Sequence, residues 1–100
     1  MVHELNFYVV LYYLPYCRYC KEFKPIFEKF SEQLRLEGIP AKTYMYDVTD
    51  KMGTIPENLT AGPFQTVPRV VFIKHNHSIL FDGKRTVKDL MEFSEQVLRM

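Results

Sequence analysis

Cys17-Arg18-Tyr19-Cys20 holds both cysteines of the 100-residue chain, two residues apart. What such a pair can do depends on which sulfur ionises, because the thiolate, not the thiol, attacks a disulfide or binds a metal. An apolar run ends at Leu14-Pro15, and a helical pattern starts just past Cys17. Cys17 therefore falls at a helix start. There the free backbone N–H groups and the positive end of the helix dipole favour a thiolate. Arg18 beside it adds positive charge. Thiols in such places have pKa values lowered from ~8.5 into the range ~3.5–7.5. Cys20 lies one helical turn on, so Cys17 can attack a disulfide and Cys20 can resolve the mixed disulfide that forms. Two other uses of the pair stand beside this one. Half of a zinc site would need more ligands, yet a second Cys-x-x-Cys is lacking and the histidines are only His3, His75 and His77. Two buried structural cysteines would sit poorly among Tyr16, Arg18, Tyr19 and Lys21. No metal is expected.

These residues need a frame. Residues 5–13 are β-branched, aromatic and nearly all apolar, which predicts a strand covered on both faces. Phe23, Ile26, Phe27, Phe30 and Leu34 recur at helical spacing and form one apolar face. Gly38 and Pro40 then stop the helix. Residues 41–48 read as a second strand. Residues 49–66 carry Gly53, Pro56, Asn58, Gly62 and Pro63, which leave room for a short helical turn at 56–61 and no more. Residues 67–74 and 78–82 predict a hairpin around His75-Asn76-His77. Thr86 with Asp89 resembles a capping box that has Asp for Glu. Val87, Leu90, Met91, Ser94, Val97 and Leu98 give the buried face of a closing helix. The first two strands, joined through a helix, should run parallel. The expected class is α/β, a four-stranded mixed sheet flanked by helices.

Composition agrees with one domain over residues 1–100: 47% hydrophobic and 25% charged residues suit a single packed core. Thirteen Lys+Arg against twelve Asp+Glu leave a charge of +1, with no footprint for nucleic acid or an anionic membrane. The longest apolar run, 7–14, falls far short of the ~18 residues that cross a bilayer. Met1-Val2-His3-Glu4 lacks the basic residues of a secretory signal, and no small-x-small cleavage site follows. A cytoplasmic setting is expected. Two cysteines are too few for a secreted disulfide scaffold.

Residues 12–25, Tyr-Tyr-Leu-Pro-Tyr-Cys-Arg-Tyr-Cys-Lys-Glu-Phe-Lys-Pro, resemble the active-site segment of thioredoxins and protein disulfide isomerases. In that family an aromatic residue precedes the first Cys, a Lys commonly follows the second, and a Pro kinks the helix. Tyr16, Lys21 and Pro25 stand in those places. Thr66-Val67-Pro68 looks like the family's cis-proline, whose preceding residue pairs its backbone with the substrate chain. Phe81-Asp82-Gly83-Lys84-Arg85-Thr86 resembles the isomerase loop whose Arg swings toward the second thiolate. The resemblance implies a thioredoxin fold and a thiol–disulfide oxidoreductase acting on protein disulfides. Cys17 would be the nucleophile and Cys20 the resolving thiol. Tyr16, Tyr19, Val67 and Pro68 would meet the substrate, while Arg18 and Arg85 would tune the thiols. It also implies no cofactor beyond the Cys17–Cys20 couple. The expected partners are protein disulfides and a thiol–disulfide electron partner, with the protein acting as a monomer.

The chain also departs from the family. Leu11 stands where thioredoxins and isomerases bury an acid that relays a proton to and from the second thiol. The extra strand and helix that open a thioredoxin are missing, a shorter layout resembling glutaredoxin. Thr-Val-Pro and the Tyr before the second Cys also look glutaredoxin-like, but the Gly-Gly-x-Asp segment that holds glutathione there is absent. Residues 51–65 form an irregular stretch longer than the usual connection, either a substrate rim or a surface insertion. Three other functions stay open. One is an isomerase or oxidase in a disulfide-forming relay. The others are a peptide-binding module without turnover and an iron–sulfur scaffold using Cys17 and glutathione.

Overall fold

The computed structural model describes residues 7–49 and 67–100. The apolar run becomes β1 (Phe7–Tyr13), and the amphipathic segment becomes α1 (Arg18–Leu36). They are followed by β2 (Lys42–Asp47), β3 (Arg69–Lys74), β4 (His77–Leu80) and α2 (Val87–Arg99). The strands lie in the order β2-β1-β3-β4. β1 runs parallel to β2, and the pairs β1/β3 and β3/β4 are antiparallel. This is the mixed sheet the sequence predicts. Val9, Val10 and Leu11 are each 0% exposed, so β1 is covered on both faces as its composition requires. The expected helical turn at 56–61 lies outside the described residues.

Both described helices pack on one face. Phe23, Phe27, Phe30 and Leu34 of α1 meet Leu90, Met91 and Val97 of α2 over Val9, Leu11 and Phe72 of the sheet. Phe72 on β3 is the hub of this layer. Its ring centroid lies 4.8 Å from Phe93, 6.1 Å from Phe81 and 6.3 Å from Phe30. Tilted and edge-on aromatic pairs of this kind contribute about 0.5–1.5 kcal/mol each beyond the area they bury. The opposite face buries Val10, Tyr12 and Ile73 beside the half-buried Tyr8, Tyr44 and Tyr46. Alternation thus buries Tyr12, and Tyr13 is left half-buried.

The ends of the elements follow from local chemistry. Gly38 takes φ +70 just past α1, a conformation that costs a residue with a Cβ. It lets the Ile39 N–H reach the Leu34 carbonyl (3.0 Å) and its own N–H reach that of Arg35 (3.2 Å), a Schellman closure. The hairpin differs from expectation by a residue or two. His75 and Asn76 both have positive φ and make a two-residue turn that pairs Lys74 with His77. β4 therefore begins at His77 and ends at Leu80, short of Asp82. The Thr86 hydroxyl caps α2 by accepting the Asp89 N–H at 3.1 Å. The Asp89 carboxylate does not return to the Thr86 amide as in a full capping box. It accepts the Lys84 N–H at 3.0 Å, because the loop before α2 folds back over its first turn.

Candidate active site

Leu14 precedes a proline and is therefore biased to extended backbone. The chain turns there, and the Cys17 N–H donates to the Leu14 carbonyl at 3.1 Å. That turn makes Cys17 the N-cap of α1, with extended φ/ψ of −80/125 and its carbonyl accepting the Lys21 N–H at 3.0 Å. The Cys17 side chain is partly exposed, and Cys20, inside the first turn, is fully buried. Both are free thiols.

This geometry sets the two sulfurs apart. Cys17 is held below the usual thiol range. The Cys20 main-chain N–H is the largest cause, followed by the Cys20 side chain, with smaller help from the Tyr19 main chain and the Arg85 charge. Cys20 is pushed up, first by burial and then by the neighbouring Cys17, against a main-chain hydrogen bond from Leu14 and the charge of Arg85. A helix start that offers N–H groups to an anion is the physical origin of the first shift. Loss of solvation for the charged form is the origin of the second.

The other predicted residues differ in exposure and in partners. Tyr16 and Tyr19 are 73% and 61% exposed and flank the cysteines. Pro68 is buried, Val67 is half-buried, and the bond between them is cis, as the family resemblance implies. Arg85 is exposed on the loop before α2, and its charge reaches both thiols. Arg18 is exposed too, but its Nε lies 3.4 Å from the Glu22 carboxylate. Of the two arginines, Arg85, from the far end of the sequence, is the one whose charge lowers Cys17. Leu11 is buried in the core, opposite Met45 across the strand pair.

Sequence reading did not find two parts of the site. Leu14 holds Cys17 and Cys20 through its main chain, and the proline after it was the available signal. The second part is a groove of about 300 Å³ whose lining includes Phe23, Pro68, Leu80, Phe81 and Arg85. It is assembled from separate segments, so no local pattern announces it. Neither cysteine lines it; Pro68 and Arg85 connect it to the predicted site residues. A larger groove of about 800 Å³ lies between α1 and β2 and includes none of the predicted site residues. Among the described residues no cluster of His, Cys, Asp and Glu could hold a metal ion, and His75 and His77 sit on the exposed hairpin end. Among them, too, no helix is long and apolar enough to cross a membrane.

The thioredoxin family model matches residues 1–96. The chain belongs to the thioredoxin family. It is 26% identical over 92 residues to human protein disulfide-isomerase TMX3, a match covering 92% of this chain and 19% of that protein. Mouse protein disulfide-isomerase A4 is 26% identical over 82 residues, covering 80% of this chain and 12% of the relative. The chain thus spans a fifth or less of these two relatives. Among solved structures, the first thioredoxin domain of mouse protein disulfide-isomerase A4 superposes with a TM-score of 0.71 at 23% identity, covering 92% of this chain and 63% of that one. The J-Trx1 fragment of ERdj5 gives 0.75 at 17% identity, covering 94% and 44%. At these identities the superpositions speak for the fold. The thioredoxin-family chain carries its two cysteines at the Cys-x-x-Cys spacing, which fits a thiol–disulfide oxidoreductase.

Proposed function

We propose that this thioredoxin-family domain exchanges disulfides with protein clients, Cys17 being the nucleophile and Cys20 the resolving thiol. One observation carries the reading: the partly exposed Cys17 sulfur sits at the helix start and is held low, while the buried Cys20 sulfur is held high, so Cys17 is the more readily ionised of the two. The Cys17 thiolate attacks one sulfur of a client disulfide. The client S–S bond breaks, and the departing client thiolate takes a proton. Cys20 then gives up its proton and attacks the Cys17 sulfur, releasing the second client thiol. Two electrons have passed to the client, and the protein holds a Cys17–Cys20 disulfide. A thiol–disulfide electron partner restores it, and the reverse sequence oxidises a client. The couple lies in the two cysteines, and the exchange needs no bound cofactor. Val67 and Pro68 supply the backbone edge along which the client lies, and Tyr16 and Tyr19 offer it exposed aromatic surface.

Cys20→Ser removes the resolving thiol and leaves the nucleophile. Incubated with a disulfide-bonded protein, that variant should accumulate a mixed disulfide on Cys17, visible on a non-reducing gel and lost on reduction. Cys17→Ser should accumulate none. A mixed disulfide on Cys20, or none with either variant, overturns the assignment.

A further inference from the structure

We propose that the groove between Pro68 and the loop before α2 receives an acidic side chain of the client segment that carries the reacting disulfide, with Arg85 as its ion-pair partner. This rests on the disulfide-exchange reading and adds a client preference to it. Arg85 belongs to both places at once. It lines the groove, and its charge is felt at both thiols. Pro68 lines the same groove, so a client held at Cys17 and running past Pro68 enters the reach of the Arg85 guanidinium. Strand-like chain advances about 3.3 Å per residue, so the test covers three residues on either side of the client cysteine.

The groove is built around Arg85. Its other charged lining residues are Asp82 and Arg69, and Arg69 is already engaged by a partner. Among the described residues Arg85 has no ion pair or hydrogen bond, while Arg18 and Arg35 are engaged by Glu22 and Glu32. The nearby Asp89 is already committed to the Lys84 amide. Hydrogen bonds fix the residues on either side of Arg85, from Lys84 N–H to Asp89 and from Thr86 N–H to the Lys84 carbonyl at 2.8 Å. The loop also lies tight on the Phe81 ring: a Cβ on Gly83 would come within 2.8 Å of it. The Phe81 ring is in turn held edge-on to Phe93 at 5.3 Å. An exposed cation on a braced loop, over a floor of Phe23, Val70 and Phe81, fits the stem and carboxylate of Asp or Glu.

The test uses peptides with one disulfide, identical except for a single Asp, Asn or Lys at each of the three positions on either side of the reacting cysteine. The quantity read is the Asp/Asn ratio of kcat/KM. At one or two positions on one side the ratio should be about two- to fivefold, as an exposed ion pair supplies, with Lys below Asn. It should fall toward one at high salt. Arg85→Gln should bring it to one, and Arg85→Lys should keep part of it. Because the ratio compares substrates on one enzyme, any change in thiolate reactivity from the substitution cancels. A ratio of one at every position, or the same ratio in the wild type and Arg85→Gln, overturns the proposal while disulfide exchange stands. No turnover of any peptide overturns both.

Discussion

At the scale of single residues, the candidate site sets two chemically identical groups apart. Cys17 and Cys20 share a helical turn, yet one sulfur faces main-chain N–H groups and the other is buried. Arg85 lowers both. Arg85→Gln should therefore raise both pKa values, and for Cys17 by less than the main chain lowers it, since the Arg85 charge is the smallest of its causes. The rate of alkylation against pH reads this directly. In wild type one thiol should react along a titration below the ~8.5 of a free cysteine. In Arg85→Gln that titration moves up, and the second thiol reacts at still higher pH. An unmoved or lowered midpoint would contradict the role given to Arg85. The cysteine spacing and the helix start were legible in the sequence because both are local. The choice between Arg18 and Arg85 was not. Arg18 is adjacent in sequence, but a carboxylate one turn along the helix takes it, whereas Arg85 arrives only through the fold. Leu11, buried opposite Met45, brings no carboxylate to Cys20.

At the scale of elements, periodicity carried most of the reading, and the gaps fall where elements end. The apolar face of α1 and the two-sided burial of β1 were visible because repeated spacing outweighs any one residue. The hairpin register was not, since His75 and Asn76 adopt positive φ without the glycine that usually marks such a turn. Nor did any pattern disclose what Lys74 does. At the end of β3 away from Arg69 and Pro68, it is 8% exposed. Its Nζ donates to the carbonyls of Val97 (3.1 Å), Leu98 (2.7 Å) and Met100 (2.7 Å). It thus satisfies the orphan carbonyls at the end of α2 and meets the negative end of the helix dipole. Lys74→Met keeps the stem and removes all three donors. It should cost about 1–3 kcal/mol of stability in a denaturant titration. The alkylation midpoint of Cys17 should stay where it is, because the change lies at the opposite end of the sheet. A neutral effect on stability would show that water replaces the ammonium at no loss.

At the scale of the whole molecule, the two thiols tie folding to redox state, and the sign of that tie changes with pH. The oxidised protein has neither thiol to titrate, so it is the reference in which every other titration cancels. In the reduced protein, stability rises with pH wherever the unfolded chain binds more protons than the folded one. Cys17 has a depressed folded pKa. Its contribution is fully present above the unfolded value of ~8.5 and is lost as pH falls through the folded one. Between those two values the unfolded chain holds a proton there that the folded protein does not, so reduced-minus-oxidised stability climbs with pH. Cys20 has a raised folded pKa and acts with the opposite sign. Its contribution is fully present below ~8.5 and is lost as pH rises toward the folded value. The difference should therefore be bell-shaped, rising from acid pH, greatest near pH ~8.5 and falling beyond. Denaturant titrations of the two redox forms, from mildly acid to alkaline pH, measure it. The same cycle equates this difference with the change in reduction potential on folding, so the couple should grow more oxidising over the climbing limb, relative to the unfolded chain. Arg85→Gln should flatten the acid limb, because Cys17 then titrates closer to its unfolded value. A difference that does not move with pH would mean that the fold treats the two thiols alike, and the division of labour between Cys17 and Cys20 would fall with it.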